Sequence, residues 1–261
     1  MTRTQWLRHY LQRILRQRPR KSQRLEFVTL NGHRFKRVIL GDAYQASEIE
    51  RCLEQYGPSS HFPPLVARYE NEIWAEYVGG PLVRPGDPGL VEAVADFYAT
   101  LYSRSPRRMA TADLGLERSV LQDLRFLVQL GVLDPSSRDA LESAARRLDP
   151  GEVWVGYDYL DPVLKNFVWR GDGGGLCAVD VESLRDNQLL GIGVAKSIIK
   201  WGNGEQKVFF DRLEPVLPGL AAYFPFVELC FITRATKRAM LEGKMKAVRP
   251  QRFASFLRRQ G

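Results

Sequence analysis

The sequence predicts an α+β fold in which a small antiparallel sheet comes first and a mainly helical remainder follows. Three observations carry that prediction. Residues 25–80 hold two strand-like pairs, one of them around Asn31-Gly32, a dipeptide that supplies the positive φ angles a tight hairpin needs. From residue 88 onward, apolar residues mostly recur at helical spacing. Within that helical part lies one short glycine-rich hairpin, with Asp161 and Asn166 before it and Asp180 at its end.

The elements follow in order. Residues 4–16 place Trp6, Leu7, Tyr10, Leu11, Ile14 and Leu15 on one helix face, with Arg3, Arg8, Arg13 and Arg16 around the rest. Such a helix can pack on the protein body or lie on an anionic membrane surface, and the spacing leaves both open. Arg16 to Arg24 reads as a polar linker. Leu25 to Leu30 and His33 to Leu40 form the first hairpin. Ala43, Ala46, Ile49, Cys52 and Leu53 mark a helix over 43–56, which Gly57-Pro58 ends. Leu65 to Tyr69 and Glu72 to Val78 read as strands, followed by Gly79-Gly80-Pro81. Helices are expected over 88–102, 116–131 and 135–148, the last capped by Asp134 or Ser136, with a loop over 103–113. Val153 to Gly156 leads into the hairpin. Further helices are expected over 186–201, 207–214 and 219–241, and the tail sets Phe253, Phe256 and Leu257 among arginines.

The hairpin is the part that carries chemistry. Phe167 to Trp169 and Leu176 to Val179 flank Gly171-Asp172-Gly173-Gly174-Gly175. A hairpin returns its far end to its near end, so Asp180 is expected beside Asn166. Two carboxylates and one amide then surround one small volume. Oxygen ligands for magnesium and a carboxylate that orients an attacking hydroxyl are what phosphoryl transfer needs.

Asp161, Asn166 and then Asp180-Val181-Glu182 resemble the catalytic loop and metal-binding turn of the protein-kinase-like superfamily, written H-x-D-x-x-x-x-N followed by D-F-G or D-x-E. The form Asp-Pro-x-x-x-Asn-Phe looks most like bacterial kinases of lipopolysaccharide core sugars (heptose or Kdo), with aminoglycoside-phosphotransferase-like kinases close by. Tyr159 stands where the family usually has histidine, and no G-x-G-x-x-G precedes the sheet lysine.

The resemblance implies a two-lobed fold: an N-terminal extension over 1–24, a sheet-bearing N-lobe over 25–80 and a helical C-lobe over 81–261. It implies ATP and magnesium as cofactors. Asp161 would be the catalytic base, and Asn166, Asp180 and Glu182 would hold magnesium. Lys36 would grip the phosphates, although Arg37, on the opposite face of the same strand, competes for that role. Glu48 would steady the lysine, with Glu50 as its competitor. Glu76 to Leu82 resembles the kinase hinge, where backbone groups of Glu76 and Val78 would pair with adenine. The acceptor implied is a sugar or glycolipid of lipopolysaccharide core, at the inner face of the inner membrane. A soluble amino sugar or amino alcohol is the second acceptor, and a pseudokinase that only binds is the reading from another class.

Composition bounds these expectations. A chain of 261 residues can form a two-lobed unit or one large domain. Three scattered cysteines argue against a disulfide framework and a zinc site, and a reducing cytoplasm is the simplest compartment. The apolar region between Arg212 and Arg234 is interrupted by Pro215, Pro218, Pro225 and two glutamates, which falls short of a membrane span. Net charge is +8, yet residues 1–24 carry eight basic and no acidic residues, and residues 234–261 carry nine basic and one acidic. The middle is therefore about −8 (21 basic against 29 acidic), so a basic nucleic-acid-binding core is not indicated. The basic ends would suit an anionic membrane surface. His9, His33 and His61 have no metal-ligand spacing, and neither a G-x-S-x-G elbow nor a Walker loop is present.

Overall fold

A computed structural model of the chain describes residues 24–171, 175–198 and 203–260. The helix expected over 4–16 lies outside the described residues, as does the centre of the glycine-rich turn. Among the described residues the chain divides into two compact units: residues 24–108 with 154–221, and residues 109–153 with 222–260.

The first unit begins with a four-stranded antiparallel sheet. Strands β1 (Arg24–Leu30) and β2 (His33–Ile39) form the expected hairpin, with Asn31 and Gly32 at φ 52° and 80°. Strands β3 (Leu65–Tyr69) and β4 (Glu72–Glu76) complete the order β1-β2-β4-β3. Cross-strand partners share a face. Phe27, Lys36 and Ala75 therefore form one row, flanked on the same face by Val38 with Ile73. Helix α1 (Ala43–Tyr56) starts where Asp42 accepts a bond from the Gln45 N–H at 2.8 Å, and it buries Ala46, Ile49, Cys52, Leu53 and Tyr56. Its span and apolar spacing are those the sequence predicts, and the Asp42 cap satisfies one of the orphan N–H groups of its first turn.

Helix α2 (Leu90–Tyr102) buries Phe97, Tyr98 and Tyr102, and Phe97 packs edge-on against Phe62, Tyr159 and Phe167. Strand β5 (Arg107–Ala110) occupies part of the segment expected to be a loop. In the second unit, helices α3 (Leu116–Gln129) and α4 (Pro135–Leu148) follow, α4 capped by Asp134, whose carboxylate accepts from the Ser137 N–H at 2.8 Å.

Strand β6 (Glu152–Tyr159) leads back into the first unit. A 3-10 turn over Leu164–Asn166 precedes the short hairpin of β7 (Phe167–Trp169) and β8 (Leu176–Ala178), paired Phe167↔Ala178 through Trp169↔Leu176. A second 3-10 turn, Val181–Ser183, follows. The segment after it corrects the expectation of one helix over 186–201. Leu184–Leu189 is strand β9, antiparallel to β6, and helix α5 (Ile192–Ile198) begins only after Gly191. Pairing with β6 fixes this backbone, and Asn187 at φ 52° could not sit in a right-handed helix.

Helix α6 (Asn203–Leu213) and the long α7 (Leu220–Leu241) come next, and α8 (Gln251–Gln260) ends the described chain. The amphipathic tail is thus a helix, and its Phe253 and Phe256 are buried within the second unit. Among the described residues no helix is long and apolar enough to cross a membrane.

Candidate active site

All the residues singled out from the sequence lie in the first unit. Strand alternation separates Lys36 from Arg37. The Lys36 side chain is only 8% exposed, and its Nζ donates to the Val179 carbonyl at 2.9 Å, to Glu182 Oε2 at 3.2 Å and to Asp180 Oδ1 at 3.4 Å. Arg37 turns to the opposite face, where it donates to Glu26 Oε2 at 2.8 Å and to Glu72 Oε2 at 2.9 Å and stacks over Trp74. The lysine, not the arginine, faces the hairpin.

The loop from Asp161 to Asn166 is closed by its own backbone. The N–H of Val163 donates to the Asp161 carbonyl at 2.8 Å, and that of Asn166 donates to the Val163 carbonyl at 2.8 Å. Asn166 Nδ2 also donates to the Asp161 carbonyl at 2.9 Å and reaches Asp180 Oδ2 at 3.4 Å. Both bonds use the amide nitrogen and leave Oδ1 outside them. The Val179 N–H donates to the Asn166 carbonyl at 2.9 Å, which ties the hairpin's far end to its near end as expected. Ser183 Oγ donates to Asp180 Oδ2 at 2.8 Å.

Burial raises the proton affinity of Asp180, but hydrogen bonding with Glu182 and the nearby Lys36 charge outweigh it and hold the carboxyl below its ordinary value. Glu182 moves the other way. Burial and the adjacent Asp180 push it up to about 7, against the pull of Lys36. Two close carboxylates beside one lysine cannot both ionise at little cost, so one retains a proton near neutrality.

The expected partner of the lysine needs correcting. Glu48 does not reach Lys36; it accepts from Arg51 at 3.0 Å, and Arg51 also holds Asp186 at 3.0 Å. Glu50 pairs with Arg68. The buried stripe of α1 is formed by Ala46, Ile49, Cys52, Leu53 and Tyr56, and Glu48 lies off it with its side chain 41% exposed. The carboxylates that hold Lys36 come instead from the turn after β8. At the other sequence-derived position, Glu76 ends β4 and its N–H donates to the Pro64 carbonyl at 3.0 Å, while Val78 follows half-buried. The turn beyond needs Gly80: a Cβ there would meet the Trp169 carbonyl oxygen at 2.0 Å.

Tyr159, which stands in place of the family histidine, is a core residue. It is fully buried against Phe62, Phe97 and Phe167. Its neighbour Asp158 was not singled out from the sequence. It too is fully buried and accepts from the Tyr159 N–H at 2.8 Å, the Gly193 N–H at 2.9 Å and the Tyr102 hydroxyl at 3.1 Å. Burial still pushes its carboxyl up to about 7. Lys196 was missed as well; it donates to Asp161 Oδ1. The one sequence signal for it was a lone cation in the apolar run after Gly191.

No family model and no curated protein matches this sequence. Solved structures do. Choline kinase LicA from Streptococcus pneumoniae is similar with a TM-score of 0.67 at 14% identity, over 97% of this chain and 98% of that one. A thermostable mutant of the aminoglycoside phosphotransferase APH(4)-Ia is similar with a TM-score of 0.63 at 12% identity, over 94% of each chain. An aminoglycoside phosphotransferase from Alicyclobacillus acidocaldarius is similar with a TM-score of 0.57 at 18% identity, over 94% of this chain and 92% of that one. Identities this low establish a shared fold and nothing finer: the chain has the fold of these phosphotransferase and kinase structures.

Proposed function

We propose that this chain is an ATP- and magnesium-dependent phosphotransferase acting on a hydroxyl of a soluble small molecule. The observation that carries this reading is the convergence of Lys36, Asn166, Asp180 and Glu182 beside a loop that begins at Asp161.

The donor set suits the metal. Carboxylate oxygens of Asp180 and Glu182 and the free amide oxygen of Asn166 are the hard ligands magnesium takes. The Lys36 ammonium bonds the same two carboxylates, so the site is already built for positive charge. Bound there, magnesium would offset negative charge on the nucleotide phosphates. Lys36 would grip those phosphates from β2. Backbone groups of Glu76 and Val78 would meet the base, and Phe27, exposed in the row of Lys36, offers it an apolar surface. Asp161 would orient the acceptor hydroxyl and take its proton. The acceptor oxygen bonds to the γ-phosphorus, the bond from that phosphorus to the β,γ-bridging oxygen breaks, and ADP leaves with the electron pair. Positioning and electrostatics supply the rate, with no covalent enzyme intermediate.

The names of the similar structures, a choline kinase and aminoglycoside phosphotransferases, favour a small soluble acceptor. A lipopolysaccharide core sugar is the second reading, carried by the residue order Asp161-Pro162 to Asn166-Phe167. The C-terminal apolar face, one reason to expect membrane contact, is packed away. Transfer of labelled γ-phosphate tests both against a panel of amino alcohols, amino sugars, a macrolide and lipopolysaccharide core. Label on a soluble compound supports the reading. Label on lipopolysaccharide alone overturns the acceptor class, and no magnesium-dependent label on any acceptor or on water overturns the enzyme.

A further inference from the structure

We infer that Lys196 is a positioning residue for the candidate base Asp161, delivered to the catalytic loop by helix α5; this rests on the phosphotransferase reading above. Helix α5 is fastened to residues 158–162 along its length. At its start the Gly193 N–H donates to Asp158 Oδ2 at 2.9 Å, and the Gly191 N–H donates at 2.9 Å to the Tyr102 hydroxyl, which itself donates to Asp158 Oδ1 at 3.1 Å. Further along, Ser197 Oγ donates to the Pro162 carbonyl at 2.9 Å. Between these anchors Lys196 Nζ donates to Asp161 Oδ1. The approach is close enough that a Cβ on Gly193 would meet the Tyr159 carbonyl oxygen at 2.0 Å, so the helix has no room to slide.

What does the ion pair do? The side chains of Lys196 and Asp161 are 37% and 35% exposed, and pairs this accessible add little to stability. Its effect is geometric. One carboxylate oxygen is held from a braced helix, and Oδ2 stays outside that bond for the acceptor hydroxyl. A base must sit within hydrogen-bond reach of the proton it takes, and small misplacements cost large factors in rate. Lysine fits this task because it donates without competing for the acceptor's proton. The loop's own backbone bonds fix the chain at Asp161 but leave its carboxylate free to rotate, which is the freedom Lys196 removes.

The test uses the full chain and reads magnesium-dependent ADP formation with whichever acceptor the panel identifies, or with water. Lys196→Met is expected to lower kcat about tenfold to a hundredfold, with the KM for ATP and the melting temperature close to wild type. Lys196→Arg is expected to recover part of the loss. In an Asp161→Asn background, Lys196→Met is expected to change nothing further, because the residue it positions is gone. A Lys196→Met variant as fast as wild type overturns the proposal alone, as does an equal fold-loss in both backgrounds. Wild-type protein that forms no ADP overturns the phosphotransferase reading and takes this proposal with it.

Discussion

Asn166 donates through its side-chain nitrogen to the backbone carbonyl of Asp161 at 2.9 Å, and the same nitrogen reaches Asp180 Oδ2 at 3.4 Å. One amide thus ties together the start of the Asp161–Asn166 loop and the end of the hairpin. Its oxygen stays outside both bonds, as a magnesium ligand requires. Asp180 is the carboxylate that Lys36, Ser183 and Asn166 all address. Asp180→Ala is expected to abolish magnesium-dependent turnover, a loss of at least a hundredfold or so given the electrostatic weight of such groups, while far-UV circular dichroism stays that of wild type. Unchanged turnover would show that Asp180 does not hold the metal.

Lys36 and Arg37 are neighbours with opposite fates. Lys36→Met removes the cation that faces Asp180 and Glu182, so nucleotide affinity should fall at least tenfold or so, since charge-assisted bonds to phosphate are lost. Arg37→Met breaks bonds to Glu26 and Glu72 on the far face and should cost some thermal stability with nucleotide affinity unchanged. Titration calorimetry with ADP separates them, and an Arg37 variant that loses affinity would reverse the assignment.

The Glu182 carboxyl sets a pH dependence. Burial and Asp180 push it up to about 7, above its ordinary value in the unfolded chain. A carboxyl raised in this way favours the folded state while protonated. Its contribution is complete below the unfolded value and is lost as pH rises through about 7. Magnesium must displace that proton, so magnesium should raise the melting temperature more at pH 8 than at pH 6. Asp158 is also pushed up to about 7 by burial and shares the metal-free trend, but it lies outside the proposed ligand set. Glu182→Gln should therefore remove the pH dependence of the magnesium effect and leave part of the metal-free trend.

Gly193 has no tolerance for a side chain. A Cβ would lie 2.0 Å from the Tyr159 carbonyl oxygen and 2.9 Å from Asp158 Oδ1, both of them buried and fixed. Gly193→Ala is expected to cost about 3 kcal/mol or more through overpacking and the loss of the Asp158 bond. Thermal unfolding reads this directly, and a variant that melts with the wild type would mean that α5 docks more loosely than described.

Much of this site was legible in the sequence, because its parts are local. Asn31-Gly32 fixes a hairpin, strand parity puts Lys36 and Arg37 on opposite faces, and the spacing of Asp161, Asn166 and Asp180 around one short hairpin brings them together. What parity could not say is which face meets the hairpin, since that depends on packing beyond the strand. The partner of Lys36 was misread for a similar reason. Glu48 lies on a correctly predicted helix, but α1 buries its Ala46, Ile49 and Cys52 face and leaves Glu48 off that stripe, paired with Arg51 one turn on. Strand β9 was hidden because Arg185 to Gln188 shows no alternation and gains its conformation from pairing with β6. Lys196 and Asp158 act on partners 35 residues away, at Asp161 and Gly193, so no spacing rule reaches them.

Binding of ATP by the wild-type chain, measured by calorimetry with and without magnesium, tests the central claim most directly. The account predicts binding that magnesium strengthens at least tenfold or so, as metal-bridged phosphates require, with the strengthening lost in Asp180→Ala. Binding that is absent, or indifferent to magnesium, would contradict it.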